Sequence, residues 1–373
     1  MNTTTIANVS VPSFHASNVH FQRNVLDTYS ESYSMVHGYI SLVICAIGIP
    51  LNSINIIVLT RKKMQTPINC ILTWLAVFDI TTMISYIPFA FHFYCQYPAT
   101  KISPSKNSSE WMQFLLVYLN ISATAHTISI WLAVALAIFR HHHIHSPAKG
   151  NLTRIRRIIR ARLVVCIIVI SSAVAMIPNY LSHTLKKAHS GAYVFEPLNL
   201  GSGKAKPIIL VGMILYSCLA KIIPCVLIIV YGSLLVFTLN GSRFNHTKSS
   251  IDSTVSGRQS TRSTRMSRTT IMLLIVIVLF LITELPQGVL ILFCILEENF
   301  FEQIYIPLGD TMDIIALVNS GVNFVLYCTM SQEFRRTFIR LFCRQTLNGG
   351  TRHAYVASHM RNEQLHATLV QPK

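Results

Sequence analysis

Residues 270–296 read TIMLLIVIVLFLITELPQGVLILFCIL. A single charged side chain, Glu284, interrupts this apolar run. About 20 mostly apolar residues suffice for a helix to cross a bilayer, and core helices of soluble domains are typically shorter than this run. Six further runs of the same kind lie around it, at 36–60, 69–94, 112–139, 161–181, 207–239 and 304–330. Their connections are short except between the fifth and the sixth. Of the 373 residues, 51% are hydrophobic and 12% charged, against about 25% charged in soluble domains. The expected fold is all-α: a seven-transmembrane helix bundle.

Lysine and arginine set the expected orientation. With the N-terminus outside, 23 of the 31 fall on the cytosolic side and 7 outside, and Lys221 lies within the fifth run. The net charge of +17 then faces anionic lipid and cytosolic partners, which argues against nucleic acid as a partner. Residues 1–35 form an extracellular segment without the apolar core of a signal peptide, so the first run is expected to serve as an uncleaved signal-anchor. Residues 36–330 are the membrane domain. Within it, 241–268 is rich in Ser, Thr and Arg and is expected to be a mobile third cytosolic loop, where phosphates would sit among arginines. In residues 331–345, SQEFRRTFIRLFCRQ, the positions Phe334, Phe338, Leu341 and Phe342 follow helical spacing. A short amphipathic interfacial helix is expected there, its aromatic face in the acyl boundary, with Cys343 a palmitoylation candidate. Residues 346–373 read as a disordered cytosolic tail. The sequons at Asn2, Asn8 and Asn107 are glycosylation candidates on the outer side. The nine cysteines show no disulfide framework, and pairing of Cys95 or Cys294 stays open.

Ionisable side chains deep in a bilayer are costly and mark function. Asp79, Lys221 and Glu284 are three such groups, and Lys221 and Glu284 are expected to form an ion pair across the fifth and sixth spans. Pro224 and Pro286 follow them and free backbone carbonyls for bending. Asn319 and Asn323 share one face of the seventh span at i, i+4, and are expected to share water or an ion with Asp79. The outer ends of the last two spans carry Glu297, Glu298, Glu302, Asp310 and Asp313.

The third span ends in AIFRHHHIHSP, residues 137–147. His141 and His145 stand at i, i+4, but no nearby carboxylate or cysteine supplies further zinc ligands. No metal and no cofactor are expected. Nor do the scattered membrane histidines and acids make an enzyme's constellation. A transporter using Asp79, Lys221 and Glu284 as relay charges is the alternative from another class.

Over residues 36–345 the landmarks resemble those of rhodopsin-like G protein-coupled receptors. Asn52 in NSINIIVLTR, Asp79 in LAVFD, the interval from Asn69 to Asp79, Pro178, Pro224, Pro286 and NFVLY (Asn323 to Tyr327) occur in that family's order. Arg140, seven residues before Pro147, stands where the family's Asp-Arg-Tyr arginine precedes its loop proline. The departures are Phe139 for the acid, Phe324 for the seventh-span proline, Glu284 for the tryptophan switch and a missing fourth-span tryptophan. Tyr231 stands one residue short of the fifth-span tyrosine, and Leu115 replaces the cysteine that ties the third span to the second outer loop (about 182–206), itself without cysteine. TELPQG with the altered arginine motif resembles invertebrate, above all nematode, receptors for myosuppressin and FMRFamide-like peptides.

The resemblance implies a plasma-membrane receptor for a short amidated peptide ending in Arg-Phe, coupled to a heterotrimeric G protein of the Gi/o type, with arrestin and membrane lipids as further partners. A non-peptide ligand remains an alternative within the family. Such a peptide needs a carboxylate for its guanidinium and an apolar pocket for its ring. Asp310 and Asp313 are expected to line the mouth, with Phe89, Phe93 and Tyr86 as apolar wall. Glu284 and His126 are deeper ligand candidates. Arg140, Asp79, Asn52, Lys221, Pro224, Pro286, Asn319, Asn323 and Tyr327 are expected to serve activation and G-protein coupling.

Overall fold

The computed structural model describes residues 17–145, 150–188, 190–197, 205–249, 257–297 and 299–343. In chain order the elements are α1 (Ser17–Leu59), α2 (Pro67–Ala90), α3 (Ser109–His145), α4 (Asn151–Ala175), a short α5 (Ile177–Tyr180), strands β1 (His183–Lys187) and β2 (Tyr193–Pro197), α6 (Ala205–Leu215), α7 (Ile223–Ser249), α8 (Gly257–Leu296), α9 (Ile306–Met330) and α10 (Gln332–Phe338). A π-helical stretch, Tyr216–Ile222, fuses α6 and α7 into one span. Among the described residues six helices are long and apolar enough to cross a membrane. The seventh, α9, has 25 residues, which rise about 38 Å, but carries Asp310, Asp313, Asn319 and Asn323 toward its neighbours.

The spans close into a ring. Neighbours are α1–α2, α2–α3, α3–α7, α7–α8, α8–α9 and α9–α1, with α4 packed on α2 and α3. Three apolar clusters fill it. One joins Ile71, Leu75, Leu132, Val165 and Phe334 at the arginine-rich end. A second joins Cys45, Met83, Tyr86, Tyr118 and Leu317 toward the other end. The third joins Ile130, Val134, Cys225, Ile228 and Phe280 between α3, α7 and α8.

Helix starts follow capping rules. Thr66 caps α2, its hydroxyl accepting from the Asn69 N–H, with Pro67 in the first turn. Ser331 caps α10 in the same way through the Phe334 N–H. Both arrangements satisfy a donor that the helix leaves orphaned. Pro224, the second residue of α7, stands two residues after the end of the π-helical stretch. Proline lacks the N–H and crowds the carbonyl four residues back, so the preceding turn widens.

Several boundaries differ from expectation. α1 begins at Ser17, well inside the segment 1–35. α7 continues to Ser249 and α8 starts at Gly257, so helical backbone enters the expected loop 241–268 from both sides. Neither extension contains proline, and Ser, Thr and Arg tolerate helix. The segment near 182–206 contains a hairpin in which Leu185 faces Phe195, Lys186 pairs with Glu196 at 2.7 Å, and Gly191 supplies the left-handed φ of 81° at the turn. The aromatic face of α10 also turns differently. Phe334 is buried in the bundle, and its ring and that of Phe338 each lie 6.0 Å from Phe324. The phenylalanine at 324 thus gives α10 an aromatic seat in protein, while Ile339 and Phe342 stay exposed.

One glycine is set by a close approach. A Cβ on Gly288 would stand 2.7 Å from the Lys221 Cβ, and the Ser217 hydroxyl donates to the Gly288 carbonyl at 3.0 Å. Gly288→Ala should therefore force α8 off the π-helical stretch. The expected cost is about 1–3 kcal/mol, read as a lowered melting temperature of the purified protein; an unchanged value would refute the contact.

Candidate functional site

Three polar layers run down the interior. At the hairpin end, α1, α2, α3 and α9 build an aromatic box around two carboxylates. Asp310 and Asp313 are three apart on α9, so they share a face. The Tyr94 hydroxyl donates to Asp310 Oδ1 at 2.6 Å, and the Tyr86 hydroxyl to Asp313 Oδ2 at 3.2 Å. His37 Nε2 lies 2.7 Å from the Tyr86 oxygen; since that hydroxyl gives its proton to Asp313, the His37 Nε2–H is the donor. The His37 ring sits 4.6 Å from that of Tyr94, and Phe89 stacks on Tyr118 at 4.7 Å. Tyr29 closes the rim through a 2.7 Å hydrogen bond with Thr311. Both carboxylates are half-buried, and each offers about four lone-pair positions, more than one tyrosine fills.

Phe89 lies in this box, and Tyr86 supplies its hydroxyl as well as its ring. Phe93 sits at the edge of the box, its ring 5.6 Å from that of Phe89, and also packs edge-on to Trp111 at 6.3 Å, with the Lys106 ammonium 6.0 Å from its ring centroid. Lys106 donates to the Pro98 and Ala99 carbonyls at 2.7 and 2.8 Å, and burial pushes its pKa down. Glu297 and Glu302 remain exposed.

The middle layer is ionic. Lys221 Nζ donates to Glu284 Oε2 at 2.6 Å, with the two side chains 0% and 1% exposed, so the pairing expected of the fifth and sixth spans is present. His126 Nε2 from α3 lies 3.1 Å from the same oxygen, and Asn319 Nδ2 from α9 donates to Oε1 at 3.3 Å. The Lys221 ammonium also stands 5.6 Å from the Tyr216 ring centroid. Asn319 thus turns to Glu284 rather than to Asp79. The i, i+4 spacing put the two asparagines on one face, but the rise of about 6 Å between them lets them meet different carboxylates.

The third layer centres on Asp79. Ser129 Oγ donates to Oδ1 at 3.2 Å and Asn323 Nδ2 to Oδ2 at 2.9 Å. Asn52 Nδ2 donates to the Ser320 carbonyl at 3.0 Å and ties α1 to α9. A cavity of about 100 Å³ is lined by Asp79, His126, Ser129, Asn319, Asn323 and Arg140, among others. The arginine at the end of α3 therefore shares one space with the two deeper layers. The neighbouring His141 ring lies 6.2 Å from that of Tyr231.

Asn107 is half-buried, with its Nδ2 donating to Met112 Sδ at 3.3 Å. The eight cysteines whose side chains are described are free, Cys95 and Cys294 included. Asn2, Asn8, Glu298, residues 346–373 and the side chains of Tyr327 and Cys343 lie outside what is described.

Sequence reasoning missed His37, Tyr94 and Tyr118 as members of the box. Their spacing within α1, the π-helical continuation of α2 over Phe91–Gln96, and α3 carries no sign of which helix each faces. It also left His126 as a ligand candidate, whereas its ring is committed to Glu284. Every layer joins at least three helices through hydrogen bonds, so a shift of one helix against another changes which bonds can be made.

Residues 39–345 match the family described as serpentine type 7TM GPCR chemoreceptor Srw. The chain is 28% identical to the G-protein coupled receptor dmsr-1 of Caenorhabditis elegans, over 88% of this chain and 72% of that one. It is 23% identical to the sex peptide receptor of Drosophila melanogaster, over 87% and 77% respectively. It is also 23% identical to the Drosophila melanogaster FMRFamide receptor, over 84% and 55%. With seven membrane helices closed around a polar core, the chain is a multi-pass membrane protein that belongs to the serpentine 7TM GPCR chemoreceptor family Srw.

Proposed function

We propose that this receptor binds a short amidated peptide ending in Arg-Phe at the hairpin end and passes the signal to a heterotrimeric G protein of the Gi/o type. The carboxylate pair Asp310 and Asp313 inside an aromatic box carries this reading. A guanidinium seeks a carboxylate in bidentate geometry, and a phenylalanine ring seeks an aromatic wall. The names of the Drosophila relatives, a sex peptide receptor and an FMRFamide receptor, support a peptide. In this reading the hairpin end is extracellular and the arginine-rich end faces the cytosol beneath a plasma membrane, as the 23-to-7 split of basic residues suggests. Arg140, Asp79, Asn52, Asn323 and Tyr327 act in coupling, while Pro224 and Pro286 permit the bending of α7 and α8. Arrestin, palmitate on Cys343 and glycans on Asn2, Asn8 or Asn107 belong to the same reading.

Ligand binding then shifts a population between two helix arrangements rather than driving chemistry. A second reading, a non-peptide ligand, draws on the family's description as chemoreceptors. A panel of amidated Arg-Phe peptides, applied to cells expressing the receptor and read by G-protein activation, tests the proposal. Saturable activation by amidated peptides, and weak activation by their free acids, is the expected result. Silence toward the whole panel with normal surface expression would reject it.

A further inference from the structure

A second cavity, about 380 Å³, lies at the arginine-rich end and takes no part in the layers above. It opens between the turn after α1, the start of α2, the end of α3, α4 and the start of α10. Lys63, Arg157, Arg160, His142 and His143 line it, against one acid, Glu333. Ligand clefts run from about 300 to 1,000 Å³, so this one suits a small polar group rather than a protein segment. Its basic walls come from three separate elements that converge on it. The turn and α4 are held together because Arg154 Nε donates to the Gln65 carbonyl at 3.1 Å. The pocket is therefore shaped by contacts outside its own basic side chains. The N-terminal end of α2, with its positive dipole, also opens here.

The surroundings indicate what kind of anion. On α4, directly beside Arg157 and Arg160, Ile155, Ile159 and Leu163 form an exposed stripe at i, i+4 and i+8, each more than half exposed. Trp74 on α2, two turns from Pro67, is exposed as well. An anion seated among the cations and attached to acyl chains would lay those chains along this apolar surface. A free phosphate would leave the surface unused. We propose that the cavity is a binding site for the phosphomonoester headgroup of an anionic membrane lipid, held by Lys63, Arg157 and Arg160. Basic pockets between membrane helices hold such headgroups by charge-assisted hydrogen bonds.

The test uses the full chain in nanodiscs, which expose both leaflets and so do not depend on the receptor's orientation or its ligand. Phosphatidylcholine discs carry either phosphatidylinositol bisphosphate or enough phosphatidylserine to match its charge, and bound lipid is counted by native mass spectrometry. The bisphosphate lipid should be retained in preference to phosphatidylserine. Each cation near a headgroup contributes about a fivefold factor, so Arg157→Gln with Arg160→Gln should reduce retention about thirtyfold. Arg336→Gln with Arg340→Gln removes the same charge from α10 and its continuation outside the cavity, and should change it little. Should the first pair fail to fold, Lys63→Gln, in the turn outside the long helices, should still cost about fivefold. Equal losses from the two arginine pairs, no loss from Lys63→Gln, or no preference over phosphatidylserine would overturn the proposal. Full displacement by soluble inositol phosphate at equal concentration would overturn the lipid source and assign the site to a free anion.

Discussion

Asp313→Asn is expected to lower the potency of an amidated Arg-Phe peptide by roughly 30- to 4,000-fold, with surface expression unchanged. Asparagine keeps the shape and the oxygen that accepts the Tyr86 hydroxyl at 3.2 Å. It removes the charge. Truncating one partner of a desolvated charge pair costs about 2–5 kcal/mol, and each 1.4 kcal/mol is tenfold in affinity. Asp310→Asn should cost less. Tyr94 holds Asp310 by the shorter bond of 2.6 Å, and Asp310 stands nearer the helix start at Ile306, closer to water. Concentration–response curves on matched expression levels check both. Potency within threefold of the parent for both variants would remove the pair from the binding site.

The second large effect concerns stability. Lys221 and Glu284 are both almost wholly buried and meet at 2.6 Å. Removing one partner of such a pair costs about 3–5 kcal/mol, a large part of a stability of about 5–15 kcal/mol. The two single variants should nevertheless differ. In Lys221→Met the Glu284 carboxylate keeps His126 at 3.1 Å and Asn319 at 3.3 Å as hydrogen-bond partners. In Glu284→Gln the Lys221 ammonium retains the Tyr216 ring as its neighbour and loses its anion. Glu284→Gln should therefore reduce surface expression and melting temperature more than Lys221→Met. The double variant should be milder than Glu284→Gln alone, since burying two neutral groups is cheaper than burying one unpaired charge. Lys221→Glu with Glu284→Lys should recover part of what each reversal loses. Independent, additive losses in all four variants would show that the two groups do not share their energy.

How much of this was legible in the residues depended on the kind of signal. Long apolar runs such as 270–296 revealed the spans, because no soluble packing hides so much surface. Opposite charges in facing membrane helices announced the Lys221–Glu284 pair, because neither is tolerable alone. The seventh span was legible as an apolar run too, although Asp310, Asp313, Asn319 and Asn323 dilute its apolar character. Partner choice was not legible. A helical period gives the face on which a side chain lies but not the depth at which a neighbouring helix meets it. Hence the sequence points Asn319 to Asp79 while the structure pairs it with Glu284, and the Tyr86 hydroxyl bond to Asp313 does not show in the spacing.

The hairpin at 183–197 escaped notice because five-residue strands leave little periodicity to read. The helical extensions before 250 and after 256 escaped because polar composition alone argued for a loop, although nothing in it breaks a helix. At 324 the departure from the family's proline was visible, but its consequence was not. The ring that replaces proline is what Phe334 and Phe338 pack against, and this draws the last helix onto the bundle.

The central claim, that a buried-edge carboxylate at the hairpin end reads a guanidinium on the ligand, has one direct test. Parent receptor and Asp313→Asn are each challenged with an amidated Arg-Phe peptide and with its citrulline counterpart, and G-protein activation is measured. Citrulline should cost the parent roughly 30-fold or more and the variant no more than a few-fold, because the charge has already lost its partner. An equal loss on both receptors would contradict the account and assign the peptide's arginine to some other contact.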